Sequence, residues 1–264
     1  MTDFSGKTVI VTGGGKGVGF GISQAFLKAG ANVVICGRRQ PDTLPTATTA
    51  AGEKTALFIS ADVRIEEQAQ ELIDATLNAY GGLDVLVNNA GGSPPVAAAE
   101  APAKLTESII RLNLIAPMIL AQKAYQVMRN NNEGGAIINI ASISGERPSP
   151  GTAAYGAAKA GLINVSKSLA QEWGVDNVRV NAIIAGMIKT EASHEHYGGE
   201  QGINMIEQSL PMKRMAVPED IANACLFLAA QQSNYISGAA LEVYGGGEPP
   251  SFLKLAEEAF RQGG

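Results

Sequence analysis

The chain has 264 residues, 45% of them hydrophobic and 17% charged, which excludes a disordered or fibrous protein and leaves ample length for a large core. Its 20 basic against 25 acidic side chains give a net charge of −5, so the basic face of a nucleic-acid binder is not expected. Two cysteines, Cys36 and Cys225, with no CxxC spacing, suit a reducing compartment; with no basic, apolar leader at the start and no membrane-length apolar run, a soluble cytoplasmic protein is expected.

Along the chain, short β-branched runs alternate with amphipathic stretches. Lys7–Thr12 (KTVIVT) reads as a buried strand, after which Phe20, Ile22, Ala25, Phe26 and Ala29 recur at helical spacing until Gly30 supplies a stop. Asn32–Ile35 and Ala56–Ile59 read as strands, followed by a helix over Glu66–Tyr80 with Ala69, Leu72, Ile73, Thr76 and Leu77 on one face. Asp84–Val87 is the next strand, then a long helical region near Leu105–Met128 and the strand Ala136–Ile140. A helix over Ala154–Trp173, the strand Val178–Ile184, a helix over Pro218–Ala230 and the strand Ala240–Val243 complete the series. Nearly continuous apolar strands, each separated by a helix, indicate an α/β architecture: a doubly wound parallel sheet of about seven strands, with helices on both faces. No linker or composition break divides the chain, so residues 1–264 are expected to form a single domain.

Two stretches fit this pattern poorly. The polar, glycine-bearing segment Glu191–Asn204 suggests a substrate loop near residues 187–212. The C-terminal extension 248–264 opens with Pro249-Pro250 and spaces Phe252, Leu255, Ala259 and Phe260 like a helix. It reads as a surface helix, or as a clamp over the site or a neighbouring subunit.

The chemistry begins at Thr12-Gly13-Gly14-Gly15-Lys16-Gly17-Val18-Gly19, between the first strand and the first helix. Gly13, Gly15, Gly17 and Gly19, with Val18, would let backbone N–H groups approach a pyrophosphate at a helix N-terminus. The second strand ends Cys36-Gly37-Arg38-Arg39, where an NAD site usually carries an acid; the first acid here is Asp42. Arg38 and Lys16 instead suit a dianionic 2′-phosphate, which favours NADP(H) over NAD(H). Further on, Tyr155 and Lys159 are four apart and share a helix face, and Ser142 lies just past an apolar strand, at its carboxyl end. Glycine turns that bind nothing, and surface-charge roles for Arg38 and Lys16, are the plainer readings of each motif alone.

Together these residues resemble the short-chain dehydrogenase/reductase superfamily, from Lys7 to near Gly247. The matching elements are TGxxxGxG at Thr12–Gly19, Asp62-Val63, NNAG at Asn88–Gly91, Asn113, Ser142, Tyr155 and Lys159. The resemblance implies a Rossmann-like fold and an oxidoreductase acting on a ketone or secondary alcohol. It implies Tyr155 as general acid/base, with Lys159 favouring its phenolate and holding the nicotinamide ribose, Ser142 holding the substrate oxygen, and Asn113 positioning a water. It places Asp62 and Val63 at the adenine and Asn89 near the adenosine-side ribose, with Ala90 and Gly91 in the same loop. It also places Ile188 and Thr190 at the nicotinamide carboxamide, beyond the loop at Gly186.

The chain departs from the family pattern at Ala185-Gly186, where Pro-Gly is common, and at Tyr244-Gly245-Gly246, where Asp-Gly-Gly is. Losing that proline restores an N–H and predicts a looser nicotinamide loop. The resemblance further suggests a homotetramer or homodimer and, as substrates, a 3-oxoacyl thioester or a cyclic or steroid-like alcohol. The alternatives are an NAD-dependent alcohol dehydrogenase of the same family and a non-catalytic dinucleotide-sensing protein. The sensor would be expected to lack Ser142, Tyr155 or Lys159, and all three are present. His194 and His196 have no clustered partners in the sequence, and no metal is expected.

Overall fold

The computed structural model describes residues 3–50 and 52–262. The first two residues of the leader reading, the last two of the tail and the His196 side chain lie outside that description. The elements follow in chain order: β1 (Thr8–Thr12), α1 (Gly17–Lys28), β2 (Asn32–Gly37), β3 (Thr46–Thr49), β4 (Gly52–Thr55), β5 (Leu57–Ser60) and α2 (Glu66–Tyr80). The middle holds β6 (Val85–Asn88), α3 (Ala103–Ile110), a π turn (Arg111–Ile115), α4 (Ala116–Met128), β7 (Gly135–Ser142), α5 (Ala153–Trp173) and β8 (Val178–Ala185). The last part adds α6 (Ser193–His196), α7 (Gly199–Ser209), α8 (Pro218–Ala229), β9 (Ala240–Val243) and α9 (Ser251–Gln262).

Seven strands form one parallel sheet in the order β5-β2-β1-β6-β7-β8-β9. This is the Rossmann-like arrangement. The strand direction of travel reverses between β1 and β6, and that switch point opens a crevice at the carboxyl ends of the strands. Alternation along each strand feeds two cores. Val9 and Val11 of β1 and Val33 and Ile35 of β2 pack with Ile22 and Phe26 of α1 and Ile221 and Leu228 of α8. Ile10 and Val34, one residue out of step, face the other way with Leu72 of α2, Leu120 of α4 and Trp173 of α5. Strands buried on both faces have no polar side to show, which is why they read as unbroken apolar runs. Gly30 ends α1 at φ +92°, a left-handed conformation that glycine tolerates, and its N–H closes the turn onto the Leu27 carbonyl at 2.9 Å.

Three features differ from the sequence expectations. A two-stranded antiparallel hairpin, β3–β4, lies between β2 and β5, and Gln24 of α1 donates to the Thr46 carbonyl. The long helical region expected near Leu105–Met128 runs unbroken from Ala103 to Met128 but carries a π turn at Arg111–Ile115 that the sequence did not signal. The expected substrate loop is largely helical, as α6 and α7, with Ile203, Leu210 and Met215 forming a small core beside Tyr197 and Met187.

The tail forms α9, whose Phe252, Leu255 and Phe260 are exposed. Its base is held by an ion pair of Glu248 with Arg147 at 2.5 Å. Both cysteines are buried, Cys36 in β2 and Cys225 in α8. No helix of the described residues is long and apolar enough to cross a membrane.

Candidate active site

At the switch point, the loops after β1 and β6 are tied together by one side chain. Thr12 Oγ1 accepts from the N–H groups of Asn89 and Ala90, each at 2.9 Å, and the Asn89 carboxamide donates to the Thr12 carbonyl at 2.9 Å. Such close packing needs glycine. Gly13 lies at φ +63°, and a Cβ on Gly19 would sit 2.3 Å from the Gly13 carbonyl oxygen. A cavity of about 630 Å³ runs across this point. Of the residues expected from the sequence to act in catalysis or hold the cofactor, Gly15 and Asn113 do not line it, and the others do. Gly15 lines an adjoining recess with Lys16, Gly37, Arg38, Arg39 and Pro41.

At one end of the cavity, beyond the end of β2, Lys16 and Arg38 line both its wall and the recess beside it. Asp62 and Val63 follow β5 on the same rim. The Asp62 carboxylate, however, is gripped by Arg64, with Nε 2.9 Å from Oδ1 and Nη2 2.6 Å from Oδ2. That guanidinium, helped by Arg38, holds the carboxyl below its ordinary range. The Asp62 N–H is also engaged, donating to Gln68 Oε1 at 2.7 Å.

At the other end, Ser142 closes β7, and its Oγ accepts from the Ser144 N–H at 3.2 Å. Two glycines let this turn press against α5. A Cβ on Gly145 would lie 2.8 Å from the Ala160 nitrogen, and one on Gly156 would lie 2.8 Å from the Ser144 carbonyl oxygen. The close approach brings Ser142 beside Tyr155 and Lys159, in the first turns of α5. Lys159 Nζ donates to the Ile140 carbonyl at 2.7 Å and lies 5.5 Å from the centroid of the Tyr155 ring. Burial lowers the Lys159 ammonium to about 8. Burial also pushes the Tyr155 phenol up; a hydrogen bond with Ser142 works against that rise and the neighbouring Tyr197 adds to it. In the cofactor-free protein, desolvation therefore outweighs the help that the phenol receives from Ser142.

Asn113 is fully buried inside the π turn. Its Oδ1 accepts from the Gly92 N–H, and its Nδ2 donates to the Gly92 and Ile109 carbonyls, all at 2.9 Å. The side chain thus holds the loop after β6 in place. Gly91 packs into the same junction: a Cβ there would lie 2.7 Å from Asn113 Oδ1 and 3.2 Å from Lys159 Nζ.

Beyond β8, Gly186 packs against Tyr244, where a Cβ would come within 2.5 Å of the Tyr244 Cβ. The Gly186 N–H donates to the Val243 carbonyl at 3.1 Å, and Ala185 keeps register with Val243, so the strand pairing runs up to the loop despite the missing proline. Ile188 bridges to Ala216, and the Thr190 N–H donates to Ser193 Oγ at 2.8 Å. Tyr197 reaches Met187 Sδ at 3.9 Å, while Met205 and Met212 are exposed. His194 pairs with Glu200 at 3.1 Å. No group of three or more metal-ligating side chains occurs among the described residues.

The donor set fits a dinucleotide. The glycine cradle leaves the backbone bare at the start of α1, and the Gly17 N–H meets an anionic acceptor, the Glu191 carboxylate, at 2.8 Å. Four participants escaped the sequence reading: Thr12 as a tie between loops, Gly92 as the partner of Asn113, Arg64 as the partner of Asp62, and Glu191. Thr12 opens the glycine motif and Gly92 follows Asn88–Gly91, so both could have been suspected. Nothing in the sequence relates Glu191 to Gly17.

Residues 13–248 match the family described as enoyl-(acyl carrier protein) reductase. The chain is 38% identical over 254 residues to the 3-oxoacyl-[acyl-carrier-protein] reductase FabG of Chlamydia muridarum, covering 91% of this chain and 96% of that protein. It is 34% identical over 249 residues to glucose 1-dehydrogenase 2 of Bacillus subtilis, covering 92% and 95%. A crystal structure from Sinorhizobium meliloti 1021, classed as a short-chain alcohol dehydrogenase, superposes with a TM-score of 0.82 at 30% identity, covering 92% of this chain and 97% of that one.

Proposed function

The chain belongs to the short-chain dehydrogenase/reductase family, oxidoreductases that transfer a hydride between a nicotinamide dinucleotide and a carbonyl or alcohol, and we propose that this member uses NADP(H) to interconvert a ketone and a secondary alcohol. The observation that carries the cofactor preference is the recess at the end of β2, which Lys16 and Arg38 line and no acid does. A 2′-phosphate would find two cations, whereas the Asp62 carboxylate on the same rim is already held by Arg64.

In this reading the amides of the glycine loop hold the diphosphate. Asp62, Val63 and Asn89, with Ala90 and Gly91, hold the adenosine side, and Gly186, Ile188 and Thr190 hold the nicotinamide. When bound, the cofactor supplies or accepts the hydride. Ser142 orients the substrate oxygen and donates to the charge that develops on it. Tyr155 passes its phenolic proton to that oxygen during reduction and recovers it during oxidation. Lys159, anchored on Ile140, presents a cation beside the phenol and lowers the cost of the phenolate. Asn113 acts through the loop that it grips.

The whole chain is read as one catalytic domain working in the cytoplasm, as a homotetramer or homodimer. The favoured substrate is a 3-oxoacyl thioester, in line with the FabG relative; a cyclic or steroid-like alcohol is the second reading. Parallel binding titrations with NADPH and NADH test the cofactor assignment. NADPH binding tighter by about tenfold or more is expected, and equal or preferential NADH binding overturns it.

A further inference from the structure

Glu191 lies outside both the catalytic cluster and the glycine motif, yet its carboxylate reaches across the groove. Oε1 accepts from the Gly17 N–H at 2.8 Å. Gly17 is the first residue of α1, so this N–H has no acceptor within the helix. The carboxylate lies over that residue: a Cβ on Gly17 would be 3.8 and 3.9 Å from its two oxygens and 3.7 Å from Thr190 Cγ2. Glu191 lines the cofactor cavity together with Gly13, Lys16 and Val18. An anion from the chain itself thus sits on a donor that a bound dinucleotide would offer to its diphosphate, and two anions cannot share one N–H without strong repulsion.

We propose that Glu191 is a positioning residue that holds the phosphate seat of the cofactor-free groove. Arrival of the diphosphate takes over the Gly17 N–H and displaces the carboxylate. The inference rests on the dinucleotide reading of this groove. Displacement has somewhere to go: Glu191 also lines a neighbouring recess with Phe20, Gln24 and Pro218. It also has a consequence along the chain. Glu191 lies between Thr190, which is hydrogen-bonded to Ser193, and α6, and α6 is joined to α7 through Gly198 and Gly199, both at φ +74°. The same side chain that yields to the phosphate therefore anchors the segment covering the substrate side, so that filling the cofactor groove frees this segment to adjust.

The test titrates NADPH, ADP and adenosine into wild type, Glu191→Ala and Glu191→Gln. Both variants should bind NADPH and ADP about tenfold more tightly than wild type, with adenosine, which has no phosphate, bound equally by all three. Unchanged or weaker NADPH binding by the variants overturns the proposal, as does an equal gain for adenosine. A second reading needs no nucleotide. Hydrogen exchange should show the Gly17 amide deprotected in Glu191→Ala while the interior of α1 keeps its protection; an unchanged Gly17 amide overturns the proposal. Failure of wild type to bind either NADPH or NADH is a different outcome, because it removes the dinucleotide reading and this inference with it.

Discussion

Lys159 Nζ donates to the carbonyl of Ile140 at 2.7 Å, two residues before Ser142 on the same strand. An ammonium buried in α5 is thereby anchored to the strand that delivers the serine. The hydrogen bond fixes where the charge sits but does not repay its burial, which lowers the group from 10.5 to about 8.

That cost is measurable as stability. Below pH 8 both the folded and unfolded chains hold the proton on Lys159, and the fold bears the full penalty, on the order of 3 kcal/mol. Between about 8 and 10.5 only the unfolded chain keeps the proton, so the penalty fades as pH rises. Cofactor-free Lys159→Met should therefore melt higher than wild type at pH 7, by about 2 °C or more, and the gap should close toward pH 10. Thermal unfolding across that pH range checks it, and a variant that melts lower at pH 7 contradicts it.

Tyr155 should titrate above 10 in the cofactor-free protein, because burial raises its phenol. Absorbance difference titration of wild type against Tyr155→Phe isolates that group. Adding oxidised cofactor, with its positively charged nicotinamide, should move the same transition downward. The Phe variant should lose about 10²- to 10⁴-fold in kcat while binding NADPH as wild type does. Turnover retained in the Phe variant would remove Tyr155 from the proton path.

Gly91→Ala places a methyl 2.7 Å from Asn113 Oδ1 and 3.2 Å from Lys159 Nζ. Asn113 has three hydrogen bonds holding it still, and Lys159 is tied to Ile140, so neither can yield without loss. The variant should be less stable by about 1–3 kcal/mol, and kcat should fall at least tenfold. Denaturant unfolding and steady-state kinetics test this, and wild-type kcat in a folded variant would show that the junction is slack.

Replacing both Lys16 and Arg38 with alanine should weaken NADPH binding by about 10- to 100-fold and leave NADH binding nearly unchanged. Equal losses for the two cofactors would make these residues general surface cations.

The sheet was legible because a strand buried on both faces must be apolar throughout. KTVIVT, NVVI and DVLV all appear within a residue or two of β1, β2 and β6. The cofactor and catalytic residues were legible because their chemistry confines them to strand ends and to one helix face, positions that spacing reveals. The hairpin β3–β4 was not, since its strands, TATT and GEKT, lack the apolar signal of the central sheet. The π turn at Asn113 escaped because one extra residue in a helical turn barely disturbs a periodic pattern. The helices α6 and α7 hid under a polar, glycine-bearing sequence, in which only Ile203 is fully buried in α7. The contact between Glu191 and Gly17 joins residues 174 positions apart; such a pairing is created by the fold and leaves no local mark.

The burial of both cysteines makes the protein a natural blank for thiol labelling. Cys36 is 3% exposed and its thiol is pushed up to about 12, while Cys225 is fully enclosed in α8 with its thiol raised further still. At pH 8 Cys36 therefore stays a thiol, and although it lines the cofactor cavity, almost none of its surface is open to a reagent. A maleimide probe added to the native protein should find nothing to attach to. A cysteine introduced at exposed Met205 would then be the one reactive thiol, and a fluorophore placed there would report on α7 with no background to subtract.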